Sequence, residues 1–140
     1  MKRFTTQQEI FDILLGFEDA TFDRTAWKHA EHLTVALCYV SQNELETAIR
    51  KMRSGLFNLL KNGFKVDLTK EMPYHETLTV FWMRTVADFN ALKNGTSLLD
   101  KANELVNEYD KDYPMKFYSR EFLFSDEARM KFVEGDLGKP

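Results

Sequence analysis

The chain is poor in the residues that build covalent or metal frameworks. Its 140 residues include one cysteine, three histidines, three prolines and six glycines. A lone Cys38 excludes an internal disulfide, and its place in the apolar run A-L-C-Y fits a small buried residue better than a nucleophile. No basic run exceeds Lys2-Arg3 and the net charge is −3. That pattern carries neither a nucleic-acid footprint nor a polybasic membrane patch. No apolar run approaches the ~20 residues needed to span a bilayer, and no signal-like segment follows Met1-Lys2-Arg3, so the expected location is cytoplasmic. G-x-S-x-G, Walker-type, G-x-G-x-x-G and C-x-x-C motifs are all missing. So are strand-like alternation, internal repeats and low-complexity segments.

What is present is helical. Hydrophobic residues make up 44% of the chain and aromatics 14%, with twelve phenylalanines, enough for one core without staples. Thr6-Gln-Gln-Glu9 is a capping-box pattern, and Ile10, Ile13, Leu14 and Phe17 follow at helical spacing, predicting a helix from about Thr6 to Phe17. A second helix is expected after Asp23 or Thr25 as N-cap. A third opens at the box Asn43-Glu-Leu-Glu46 and stops before Gly63, with Leu45, Ile49, Met52, Leu56 and Leu59 as its stripe and Arg50, Lys51 and Arg53 as a mostly solvated face. The run F-K-V-D-L-T-K-E-M-P has no period and predicts a loop. A fourth helix begins near Tyr74 or His75 and ends at Asn94-Gly95, and a fifth runs from its cap Ser97 to about Tyr109. A short turn around Tyr118 to Glu121 and a last helix capped by Ser125 complete the chain. The expectation is an all-α fold, a compact single-domain bundle of five or six helices over residues 1–140, frayed at 1–5 and 135–140.

The three histidines draw the candidate site. His29 and His32 lie in W-K-H-A-E-H-L, on the stripe shared by Leu33, Ala36 and Val40. His75 lies in P-Y-H-E-T. Short connections favour antiparallel neighbours, so helices two and four should run parallel, with the three imidazoles at one end within roughly 10 Å. Glu18, Asn58, Tyr74 and Glu76 reach that level by the same count. Trp27 and Trp82 could wall a pocket there, and Arg120 could reach it if the C-terminal segment folds back. Glu31 falls off the stripe and is expected in solvent.

Three chemistries remain open. His29, His32 and His75 could ligate a transition metal such as zinc or iron, although i, i+3 spacing converges less well than i, i+4. Without metal, neutral imidazoles near helix N-termini, with Glu76, could act as acid/base groups or bind a small molecule alongside Trp27, Asn58, Tyr74, Trp82 and Arg120. The third possibility is a non-catalytic interaction module whose histidines form a structural hydrogen-bond network. Glu18 and Glu76 weigh against an anion, so a metal-free pocket should prefer a neutral or polar ligand. A small molecule is the expected partner; a homo-oligomer stays open but is not indicated.

The blocks W-K-H-A-E-H-L, R-K-M-R-S-G-L-F-N, P-Y-H-E-T-L-T and F-Y-S-R-E-F-L-F-S-D-E-A-R, in this order, resemble a family of small all-helical, largely uncharacterised bacterial proteins. The resemblance spans about Phe22 to Val133. It implies that Trp27, His29, His32, Asn58, Tyr74, His75, Glu76, Thr77, Tyr118, Ser119 and Arg120 occupy the blocks' polar and aromatic positions. It implies no activity.

Overall fold

Thr6 and Glu9 close the first helix as the box pattern predicts: the Thr6 hydroxyl accepts from Glu9 N, while the Glu9 carboxylate accepts from Thr6 N. The computed structural model describes residues 2–140. Its long helices are α1 (Gln7–Glu18), α2 (His29–Gln42), α3 (Leu45–Asn58), α4 (Glu76–Leu92) and α5 (Leu98–Glu108), followed by the short α6 (Arg120–Leu123) and α7 (Asp126–Met130). The described residues contain no strand, and the fold is all-α. None of the helices is long and apolar enough to cross a membrane.

The start of α2 departs from expectation. Asp23 does not cap the helix, because its carboxylate accepts Thr25 N and its carbonyl accepts Ala26 N and Trp27 N, forming a separate turn. The helix opens only at His29. Its closing group is Glu31, whose carboxylate accepts Lys28 N at 3.0 Å and the Arg3 guanidinium at 3.0 Å. Glu31 is therefore buried rather than solvated.

The end of α3 also differs. The helix runs into a π-helical turn over Leu59–Gly63, with Phe64 N bonded to Leu59 O. Leu59 and Leu60, adjacent in this turn, both face the cavity between α2, α3 and α4. Gly55 permits close approach of α1, since a Cβ there would collide with the Phe17 ring. Gly95, at φ +88°, makes the left-handed turn between α4 and α5.

Segments near both ends are bonded to the rest of the fold. Arg3 N and Phe4 N donate to the side-chain amide oxygen of the buried Asn103 at 2.8 Å each, and Phe4 is core; Met1 lies outside the described residues. At the other end Ser119 N and Oγ bond the Asp136 carboxylate, and Leu137 N bonds Phe117 O. These bonds hold Arg3, Phe4, Asp136 and Leu137 against the body of the fold. One contiguous core runs through α1–α5, and α2 packs most extensively against α4.

Candidate functional site

A cavity of about 220 Å³ opens where the starts of α2 and α4 meet the end of α3. His32 enters its wall from α2 and Trp27 from the turn before it. Leu56, Leu59 and Leu60 come from α3 and its π turn, and Phe64 follows them. Pro73, Tyr74, His75, Leu78 and Thr79 complete the wall from the run into α4 and its first turn. None of these side chains is formally charged.

Trp27 is fixed from outside. Its indole stacks on Phe17 (centroids 5.3 Å, 16°) and meets Phe22 edge-on, and it lies 6.0 Å from the His32 ring. Tyr74 is fixed from below: its hydroxyl donates to Glu76, whose carboxylate is gripped by Arg53 Nε and Nη2 at 3.0 and 2.6 Å. Burial pushes the Tyr74 hydroxyl up to about 12, with the Glu76 bond adding to it. Burial also pushes Glu76 up, but the Arg53 and Tyr74 bonds outweigh it and leave the carboxyl below its ordinary range.

The histidines make three different commitments. His75 is the N-cap of α4. Its Nδ1 accepts Leu78 N at 3.1 Å, so Nε2 carries the proton and donates to Leu123 O at 2.7 Å. The C-terminal segment thus folds back to this end, with Phe124 edge-on to the His75 ring. His29 does not line the cavity. Its ring packs 4.9 Å from Trp82, and its Nε2 meets Tyr109 O at 3.0 Å. Burial lowers the pKa of both, opposed in each case by the carbonyl bond.

His32 is the exception. Its Nε2 is the one buried side-chain nitrogen or oxygen without a hydrogen-bond partner among the described residues. Burial, with His29 nearby acting in the same direction, pushes it down to about 4. At neutral pH the ring is an uncharged, weakly basic imidazole.

Of the remaining expected site residues, Trp27 and Tyr74 reach the cavity and the others do not. Glu76 turns to Arg53. Asn58 donates to Glu18 O at 3.3 Å and accepts from Asn62. Trp82 is core beside His29. Arg120 is exposed and lies 5.6 Å over Phe124. Among the described residues no group of three or more His, Cys, Asp and Glu side chains is arranged to hold a metal ion. The physical reason is commitment: both His75 nitrogens are engaged and His29 faces Tyr109. The wall residues absent from the expected site are Leu56, Leu59, Leu60, Phe64, Pro73, Leu78 and Thr79. Several of them were visible as apolar stripe positions, but nothing in the sequence marks the π turn that carries Leu59 and Leu60. Arg53, expected in solvent, is the clamp on Glu76.

The arrangement can hold an uncharged molecule against one imidazole, and it has little to do acid/base chemistry with. The Thr79 hydroxyl donates to His75 O at 3.0 Å, the Tyr74 hydroxyl is held by Glu76, and His32 lies far below the ~7 that suits a general base. No family model matches the chain, and no curated protein or solved structure matches it.

Proposed function

We propose that this chain is a small-molecule-binding domain whose ligand occupies the cavity between α2, α3 and α4. The observation that carries this is the His32 Nε2, buried without a partner in a side chain of the cavity wall. Leaving such a group unmatched costs about 1–3 kcal/mol. A leucine would fill the same space without that cost, and violations of this kind concentrate where a fold serves a ligand. The π-helical turn beneath the cavity supports the same reading, since such turns are frequent at functional sites.

Size limits the ligand. About 220 Å³ is less than the ~300–1,000 Å³ of drug-sized pockets. It exceeds the ~150 Å³ of an engineered apolar cavity that admits benzene. One ring or a short chain fits.

The reading of the histidines as a structural network is supported at His75 and His29, whose carbonyl bonds tie α6 and α5 into place. It has no account of His32. A metal-assisted version would require His75 to release Leu123 or the α4 cap, and elemental analysis of untagged protein checks it. The binding reading is tested by thermal shift with single-ring probes such as toluene and phenol. At least one should raise Tm in the wild-type protein, and Leu56→Phe, which fills the cavity, should abolish the shift. Shifts unchanged by Leu56→Phe would place the ligand elsewhere and overturn the proposal.

A further inference from the structure

The cavity carries no charged side chain in its wall, unlike four other openings among the described residues. The space under the C-terminal tail, about 250 Å³, is rimmed by Arg84, Asp88, Glu134 and Lys139. The groove beside α7, about 400 Å³, carries Arg53, Glu76 and Arg129. The groove over α3 and α4 carries Glu46, Arg50, Arg53 and Arg84. Their charges are largely spoken for: Arg84 pairs with Glu134 and lies over Phe132, Arg53 is closed on Glu76, and Arg129 is bonded to Met72 O.

Within the cavity the polar side chains divide sharply. The hydroxyls of Tyr74 and Thr79 and both nitrogens of His75 already have partners inside the protein. Each hydroxyl has spent its one donor hydrogen and keeps only acceptor capacity, while His75 has neither nitrogen free. His32 alone retains an unmatched buried atom. We infer that the ligand is an uncharged single-ring or short-chain compound bearing one hydroxyl, and that His32 Nε2 is the atom that recognises it.

The hydroxyl follows from the chemistry of a neutral imidazole. One ring nitrogen carries a proton and the other a lone pair, and a hydroxyl can accept from the first or donate to the second. It therefore matches His32 in either tautomer. Exclusion of charge follows from the wall: a carboxylate or ammonium entering it would lose its water and find no opposite charge in return. Nε2 is covered by protein in the free chain, so ligand entry turns the imidazole about its soft terminal torsion or shifts the adjacent Trp27 ring.

This inference rests on the binding reading, and three probes separate the two. Phenol, toluene and benzoate are titrated by calorimetry against wild type, His32→Leu and His32→Gln. Phenol should bind wild type about tenfold more tightly than toluene, as one net hydrogen bond allows. Benzoate should bind more weakly than either. His32→Leu should keep toluene affinity and erase the preference for phenol, while His32→Gln, which restores a polar side chain, should recover part of it. Toluene equal to phenol in wild type, benzoate as tight as phenol, or a phenol preference surviving His32→Leu would overturn the assignment of the hydroxyl to His32 while leaving the cavity a binding site. Failure of all three probes to bind wild type would overturn both.

Discussion

His32 and His75 stand in one cavity wall, each near the start of its helix, and are held in opposite ways. His75 spends one nitrogen capping α4 and the other holding Leu123 O, so its ring ties the start of α4 to the end of α6. His32 sits one turn into α2, where the cap has already been provided by Glu31, and its Nε2 meets nothing. The same side chain is structure in one place and unspent binding capacity in the other. Identity alone does not separate the two; the count of partners does.

The largest effect should come from the satisfied partner. His75→Leu removes the cap on Leu78 N and strands Leu123 O, and should lower unfolding free energy by about 2–3 kcal/mol in urea. His75→Asn, a good N-cap, should recover about 1 kcal/mol of that. If His75→Leu proves harmless, the contrast with His32 collapses.

Next in size is a pH effect. His32 falls from 6.5 to about 4 on folding, so the unfolded chain binds the extra proton between those values. Its contribution is fully present above about pH 6.5 and is lost as pH drops toward 4. Between pH 7 and 5 that amounts to about 2 kcal/mol at most. His29 and His75 are lowered too and act in the same direction. Denaturation of His32→Leu across this window should show a shallower loss than wild type; an unchanged slope would mean that His32 titrates near its ordinary value.

Arg53→Met tests the outer support of Tyr74. The pair is partly exposed, with Arg53 37% and Glu76 16% accessible, so the expected loss is about 1 kcal/mol or less. It should also weaken probe binding by loosening the Tyr74 wall, whereas the neighbouring Arg50→Met should change neither.

The smallest effect has the opposite sign. His32→Leu removes an unmatched buried nitrogen and should leave stability unchanged or raise it by up to about 1 kcal/mol at pH 7. A loss comparable to that of His75→Leu would assign His32 to the structural network instead.

The sequence announces part of its caps: Thr6 with Glu9, Ser97 and Ser125 begin helices where their side chains can reach a bare N–H. The box expected at Asn43 does not form, because Asn43 donates back to Tyr39 O and α3 opens after Glu44 with no side-chain cap. The meeting of His32 and His75 was legible too, from helix order and short connections. Their commitments were not, because the partners of His75 and His29 are the backbone carbonyls of Leu123 and Tyr109, 48 and 80 residues away. A carbonyl has no sequence signature. The start of α2 was misplaced because Asp23 serves a local turn, which competes with capping. The π turn at Leu59–Gly63 is invisible to a 3.6-residue period, and the docked ends depend on Asn103 and Asp136, polar residues that look solvated until the fold encloses or engages them.

Long-range proton–nitrogen spectra of the three imidazoles, recorded as phenol is added at pH 7, test the contrast most directly. Before addition His75 should report a proton on Nε2, and His32 should report a neutral ring. The expected result is that phenol moves the His32 nitrogens and leaves the His75 nitrogens in place. Binding of phenol with His32 unmoved, or with His75 giving up its bonds to Leu78 and Leu123, would contradict it.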